Sequence, residues 1–130
     1  MSAKRIIIAD DEPHIRHVLS LKLEKGGYSV LQAADGQEAL ELCLAERPDL
    51  LITDYQMPGL SGLELCQQLR ARPATRQLPV IMLTARGFDL DEAQTQELAI
   101  TAIMSKPFSP AEVLQKASDI LDVAVQRRSG

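Results

Sequence analysis

Four apolar runs in this sequence stop abruptly on a residue that can do chemistry. Arg5 to Ala9 stops on the acidic pair Asp10-Asp11, with Glu12 behind it. Leu50-Leu51-Ile52 leads to Asp54, and the turn formers Met57-Pro58-Gly59 follow at once. Pro79 to Thr84 ends on a hydroxyl, and the short run Ala102 to Met104 is followed by Ser105-Lys106-Pro107. If these ends meet, three carboxylates come together. At ~4 Å and an effective dielectric near 20, each like-charged pair costs roughly 4 kcal/mol. A divalent cation inside the cluster removes that cost. Oxygen donors without His or Cys favour Mg²⁺ or Mn²⁺ over zinc. Lys106 supplies a point charge suited to a phosphoryl oxygen, and Thr84 a hydroxyl donor. Such a group of side chains could stabilise phosphoryl transfer onto Asp54 itself. The alternative is a set of unrelated turn formers, since Asp is common in turns.

The runs must be strands for those ends to meet. Each is too short for a helix and reads as a buried parallel strand. Tyr28 to Ala33 is a further strand, placed nearer the sheet edge because polar residues interrupt it. Helical patterns lie between. Pro13 suits a first turn, Ile15, Val18, Leu19 and Leu23 form a stripe, and Gly26-Gly27 ends that helix. Asp35-Gly36 opens a second helix with Ala39, Leu40, Cys43 and Leu44 on one face, stopped by Pro48. Ser61 is an N-cap with Glu64 three residues on, and Leu63, Cys66 and Leu69 line the third helix. Asp89 to Leu98 is a weakly amphipathic fourth helix, expected to be the loosest. Ser109, Pro110 and Glu112 start a fifth, with Val113, Ala117, Ile120, Leu121 and Ala124 as its stripe. Five strands alternating with helices give an α/β fold, a doubly wound parallel sheet with helices on both faces. Right-handed crossovers then put every strand's C-terminal end on one edge, where such sheets bind ligands. We expect one domain over 1–130, with a core of about 4–125 and a frayed polar tail at 126–130.

Composition narrows the function. The chain has 130 residues, is 45% hydrophobic and carries a net charge of -4, so it can bury a core but is poorly suited to a phosphate backbone. Aromatics are only 3%, with no Trp, which argues against base stacking. No nucleic acid binding by this domain is expected, and the pair Arg127-Arg128 is too short to change that. There is no secretory signal and no run near the ~20 apolar residues of a membrane span, so a cytoplasmic location without membrane insertion is expected. Cys43 and Cys66 fall in helical apolar patterns and read as small core residues. His14 and His17 are three apart on the first helix without a third ligand and read as an exposed face.

Taken together, IIIADDEP, DYQMPGLSG, LTARG and SKPF make nearly the whole chain resemble the receiver domain of two-component response regulators. The resemblance implies a flavodoxin-like sheet with strand order 2-1-3-4-5. It implies that Asp54 is the phosphoacceptor, and that Asp10, Asp11, Asp54 and the backbone carbonyl of Gln56 hold Mg²⁺. Thr84 takes the place of the switch hydroxyl and Lys106 that of the phosphate-pairing lysine, with a cis Lys106–Pro107 bond. The donor would be a phosphohistidine on a sensor histidine kinase or histidine phosphotransfer protein. The output would be binding of a downstream protein, by a monomer or a phosphorylation-dependent dimer, without turnover of an external substrate.

Two departures matter. Many receivers carry Tyr or Phe in the fifth strand, where this chain has Ile103; a buried Ile has no ring to swing, so coupling to Thr84 should be weak. The usual Gly-Ala before that strand is replaced by Ala99-Ile100-Thr101-Ala102. Gln56 and Arg86 occupy the positions that flank the water path in similar proteins, and two long side chains there imply slow to intermediate self-dephosphorylation. Rival functions fare worse. A phosphatase using Asp54 would want a general acid two residues on, where Gln56 stands. A flavin carrier would meet a repelling acidic loop, DDEPH. A receiver that is part of a longer regulator with an output domain remains compatible.

Overall fold

The computed structural model describes residues 3–85 and 92–129, the last seven by backbone alone. Strands β1 (Arg5–Ala9), β2 (Ser29–Ala33), β3 (Leu50–Asp54), β4 (Val80–Thr84) and β5 (Ala102–Ser105) alternate with five helices. These are α1 (Pro13–Lys25), α2 (Gly36–Glu46), α3 (Gly62–Arg70), α4 (Glu92–Glu97) and α5 (Pro110–Ser129). The strands are all parallel, in the order β2-β1-β3-β4-β5, as the resemblance implies. β2 is an edge strand, as its polar interruptions suggested.

The sheet is buried on both faces, which is why its strands read as continuous apolar runs. Alternation still sorts the residues. Ile7, Leu51 and Met82 pack with Ala39, Leu40 and Cys43 of α2 and Leu65, Cys66 and Leu69 of α3. Ile6, Ile8, Ile52 and Leu83 pack with Leu19 and Leu23 of α1 and Val113, Ala117 and Leu121 of α5. Each fully buried Leu or Ile contributes roughly 1.5–3 kcal/mol relative to exposure. Both cysteines are free and buried. Burial pushes the Cys43 thiol up to about 12 and that of Cys66 to about 11, so neither is a ready thiolate.

The helix boundaries follow local rules. Asp35 caps α2 by accepting from the Glu38 amide at 2.8 Å. Ser61 and Glu64 form the expected reciprocal capping box on α3, at 3.1 and 3.0 Å. The buried face of α3 is Gly62, Leu65, Cys66 and Leu69, with Leu63 only half-buried. That set is spaced i, i+3, i+4, i+7, and the expected stripe had passed over Leu65 and the glycine. Leu44 is likewise half-buried.

Three further points concern α4, α5 and the turn before β5. α4 is described from Glu92 to Glu97 and buries none of those residues; Asp89, Leu90 and Asp91 lie outside the described residues. The α5 backbone is helical through Ser129, so the helix runs past Gln126 into the polar tail. The missing Gly before β5 is met by Ala99, which itself takes a left-handed conformation (φ 52°). Arg70 steadies that corner. Its guanidinium donates to the carbonyls of Leu98 (2.7 Å), Thr75 (3.2 Å) and Ala99 (3.3 Å). Among the described residues, no helix is long and apolar enough to cross a membrane.

Candidate functional site

β1 and β3 are neighbours, so Asp10 and Asp54 emerge side by side at their C-terminal ends. Asp10 is fully buried and held at three atoms. Its amide donates to the Ala33 carbonyl at 3.1 Å and its Oδ1 accepts from the Glu12 amide at 2.9 Å. Its carbonyl accepts from the Arg16 guanidinium at 2.6 Å. Asp54 is also buried. The Thr53 hydroxyl donates to its carbonyl at 3.0 Å, and the Tyr55 amide bonds Leu83 across the sheet at 2.7 Å.

Gly62 closes the loop that follows. Its amide donates to the Tyr55 carbonyl at 2.8 Å. A Cβ there would stand 2.4 Å from the Asp54 carbonyl oxygen and 2.7 Å from Met82 Sδ, so only glycine lets α3 begin so close to the acid. Gly36 is similarly pressed, its missing Cβ 2.4 Å from the Leu60 carbonyl oxygen.

The carboxylates of Asp10, Asp11 and Asp54 each place an oxygen within 4.8 Å of the others. Asp11 is exposed at the mouth. Lys106 Nζ reaches across from the end of β5. It lies 3.3 Å from Asp54 Oδ1, 3.8 Å from Asp10 Oδ2 and 3.9 Å from Glu12 Oε1. Its amide donates to the Thr84 carbonyl at 2.7 Å, which ties the lysine to the end of β4.

Charge and burial compete here. Burial pushes the Asp10 carboxyl up to about 6; the Glu12 amide opposes that, the Asp54 charge adds to it, and Lys106 opposes it again. Burial also raises Asp54 above its ordinary value, with Lys106 as the main opposing influence. Asp10 Oδ2 is buried and makes no hydrogen bond. A buried carboxylate oxygen without a hydrogen bond, in a cluster with two further acids, is suited to a hard cation. The three carboxylates, with oxygens within 4.8 Å of one another, offer the hard oxygen donors that such a cation takes. The donor set therefore fits Mg²⁺ or Mn²⁺.

Asp10, Asp11, Asp54 and Lys106, singled out in the sequence, do converge. Thr84 is buried at the end of β4, opposite Ser105 in the sheet. Gln56 is exposed in the loop two residues beyond Asp54. Lys106–Pro107 is cis, as expected. Ile103 pairs with Met82 in β5 but is half-buried rather than buried, because β5 is the sheet's other edge. Arg86 lies outside the described residues. His14 and His17 are exposed on α1, as expected. Sequence reasoning missed Glu12 as a partner of Lys106, and missed Arg16 altogether. The signal for Arg16 was a cation one turn into a helix whose Pro13 start fixes its distance from Asp10.

Residues 6–118 match the family model described as the response regulator receiver domain. The chain is 42% identical over 118 residues to the alkaline phosphatase synthesis transcriptional regulatory protein PhoP of Bacillus subtilis, covering 91% of this chain and 48% of that protein. It is 38% identical over 130 residues to the phosphate regulon transcriptional regulatory protein PhoB of Pseudomonas aeruginosa, covering 100% and 55%. The chain thus spans about half the length of these curated relatives. Among solved structures, the chemotaxis response regulator CheY4 of Vibrio cholerae superposes with a TM-score of 0.84 at 29% identity, covering 92% of this chain and 99% of that one. A response regulator structure from Chloroflexus aurantiacus gives 0.82 at 35% identity, covering 93% and 99%. On sheet order, acidic cluster and likeness together, the chain belongs to the response regulator receiver domain family.

Proposed function

We propose that this domain is a phosphorylation-operated switch in two-component signalling, with Asp54 as phosphoacceptor. The observation that carries the proposal is the meeting of three carboxylates within 4.8 Å, with Lys106 Nζ 3.3 Å from Asp54 Oδ1. An Asp54 oxygen attacks the phosphorus of a phosphohistidine on a sensor kinase or phosphotransfer protein. The O–P bond forms as the P–N bond breaks, and the imidazole leaves with its electron pair. Water later cleaves the acyl phosphate, returning the carboxylate and inorganic phosphate. Burial leaves Asp54 poorly solvated and thus a better nucleophile. Lys106, already beside Asp54, neutralises charge on the transferring group. Thr84, at the adjacent strand end, offers its hydroxyl to a phosphoryl oxygen. Asp10, Asp11, Asp54 and the Gln56 carbonyl would hold Mg²⁺, which supplies a second positive centre for the phosphoryl oxygens.

Partner binding, not turnover of an external substrate, is the output. The chain spans about half of relatives named as transcriptional regulatory proteins, which supports a receiver working with an output domain. Acetyl phosphate with Mg²⁺, followed by intact mass, tests the chemistry. Wild type should gain one phosphoryl group and Asp54→Asn none; equal labelling of both, or of neither, refutes the assignment.

A further inference from the structure

We infer that Arg16 is a positioning residue for the cation site, fixing the peptide plane that joins Asp10 to Asp11. This rests on the Mg²⁺ reading of the carboxylate cluster given above. β1 ends at Ala9, so the Asp10 carbonyl lies beyond the last residue of the ladder. Arg16 supplies its partner at 2.6 Å, a short charge-assisted bond from a half-buried guanidinium. That carbonyl belongs to the peptide between the two acids. Rotating the plane swings the Asp11 side relative to Asp10, which is anchored by the Ala33 carbonyl and the Glu12 amide. With amide, Oδ1 and carbonyl all engaged, Oδ2 is the one polar atom of Asp10 without a hydrogen bond. Groups that orient ligands in this way commonly change metal affinity 10–100-fold when removed.

The sign of the effect separates positioning from simple charge. Arg16 is a cation near a cation site. If it acted only through its charge, removing it would tighten Mg²⁺ binding, because one repelling charge is lost. Positioning predicts weaker binding. The test is calorimetric titration with Mg²⁺ alone at pH 8, comparing wild type, Arg16→Met and Arg16→Lys. Leu121→Val, in the core midway along α5, controls for general destabilisation. We expect Kd to rise about tenfold in Arg16→Met and several-fold in Arg16→Lys, which keeps the charge but loses the planar fork, with Leu121→Val unchanged. Unchanged or tighter binding in Arg16→Met overturns the inference. Should that variant not fold, wild-type affinity in Arg16→Lys overturns it instead. No Mg²⁺ binding by wild type overturns both this inference and the cation reading beneath it, whereas wild-type binding with indifferent variants overturns this one alone.

Discussion

Without a cation, the site works against folding, and the effect can be isolated at Asp10. Its carboxyl is raised from the ordinary 3.8 to about 6, chiefly by burial. A carboxyl raised in the folded state stabilises the fold at low pH, and that contribution is lost as pH rises through the folded value. Above pH 7, ionised Asp10 therefore costs about 3 kcal/mol relative to an unperturbed acid. At pH 5 most of the folded protein has Asp10 protonated, and the cost falls by roughly 1 kcal/mol. Asn at this position keeps an oxygen for the Glu12 amide but never ionises. In EDTA, Asp10→Asn should melt well above wild type at pH 7.5. The gap should narrow by about 4 °C at pH 5, taking about 4 °C per kcal/mol for a domain of this size. Asp54 is present in both proteins, so its own titration enters both curves. Adding Mg²⁺ at pH 7.5 should raise wild type and leave the variant nearly unmoved. Melting curves by circular dichroism over this pH range decide it. A gap that is absent, or that stays constant with pH, refutes the claim that burial of Asp10 stores this energy.

Two further outcomes follow from packing. Gly62→Ala drives a methyl toward the Asp54 carbonyl and Met82, and should cost about 1–3 kcal/mol in urea unfolding; a change under about 0.5 kcal/mol means the loop has room after all. At Ile103, beryllofluoride should alter amide exchange by less than about threefold, under about 1 kcal/mol of local stability, because no ring exchanges positions there. A large change confined to Ile103 and its neighbours would show that an aliphatic side chain couples to Thr84 after all.

The sheet was legible because each strand is a short apolar run ending in a polar residue. The acids and the lysine were legible because parallel strands with right-handed crossovers leave no other place for their ends. What stayed hidden depends on three-dimensional register. Arg16 looks like any surface arginine until the α1 start sets its reach. Leu65 was passed over because the glycine heading its stripe carries no side chain to flag it. Ile103 was expected to be buried, although the order 2-1-3-4-5 implied by the resemblance already put β5 at the sheet's edge, where one flank stays open. Arg70 gave no signal either, since its acceptors are backbone carbonyls, which no side-chain pattern reveals.

That arginine has a mechanical consequence. With its donors spread over Leu98, Ala99 and the turn before β4, the C-terminal end of α4 is bolted to α3. As described, Glu92–Glu97 of α4 buries none of its own residues. Any rearrangement spreading from Thr84 would then swing α4 like a lever about a pivot at Leu98, moving its N-terminal end furthest and leaving β5 nearly in place.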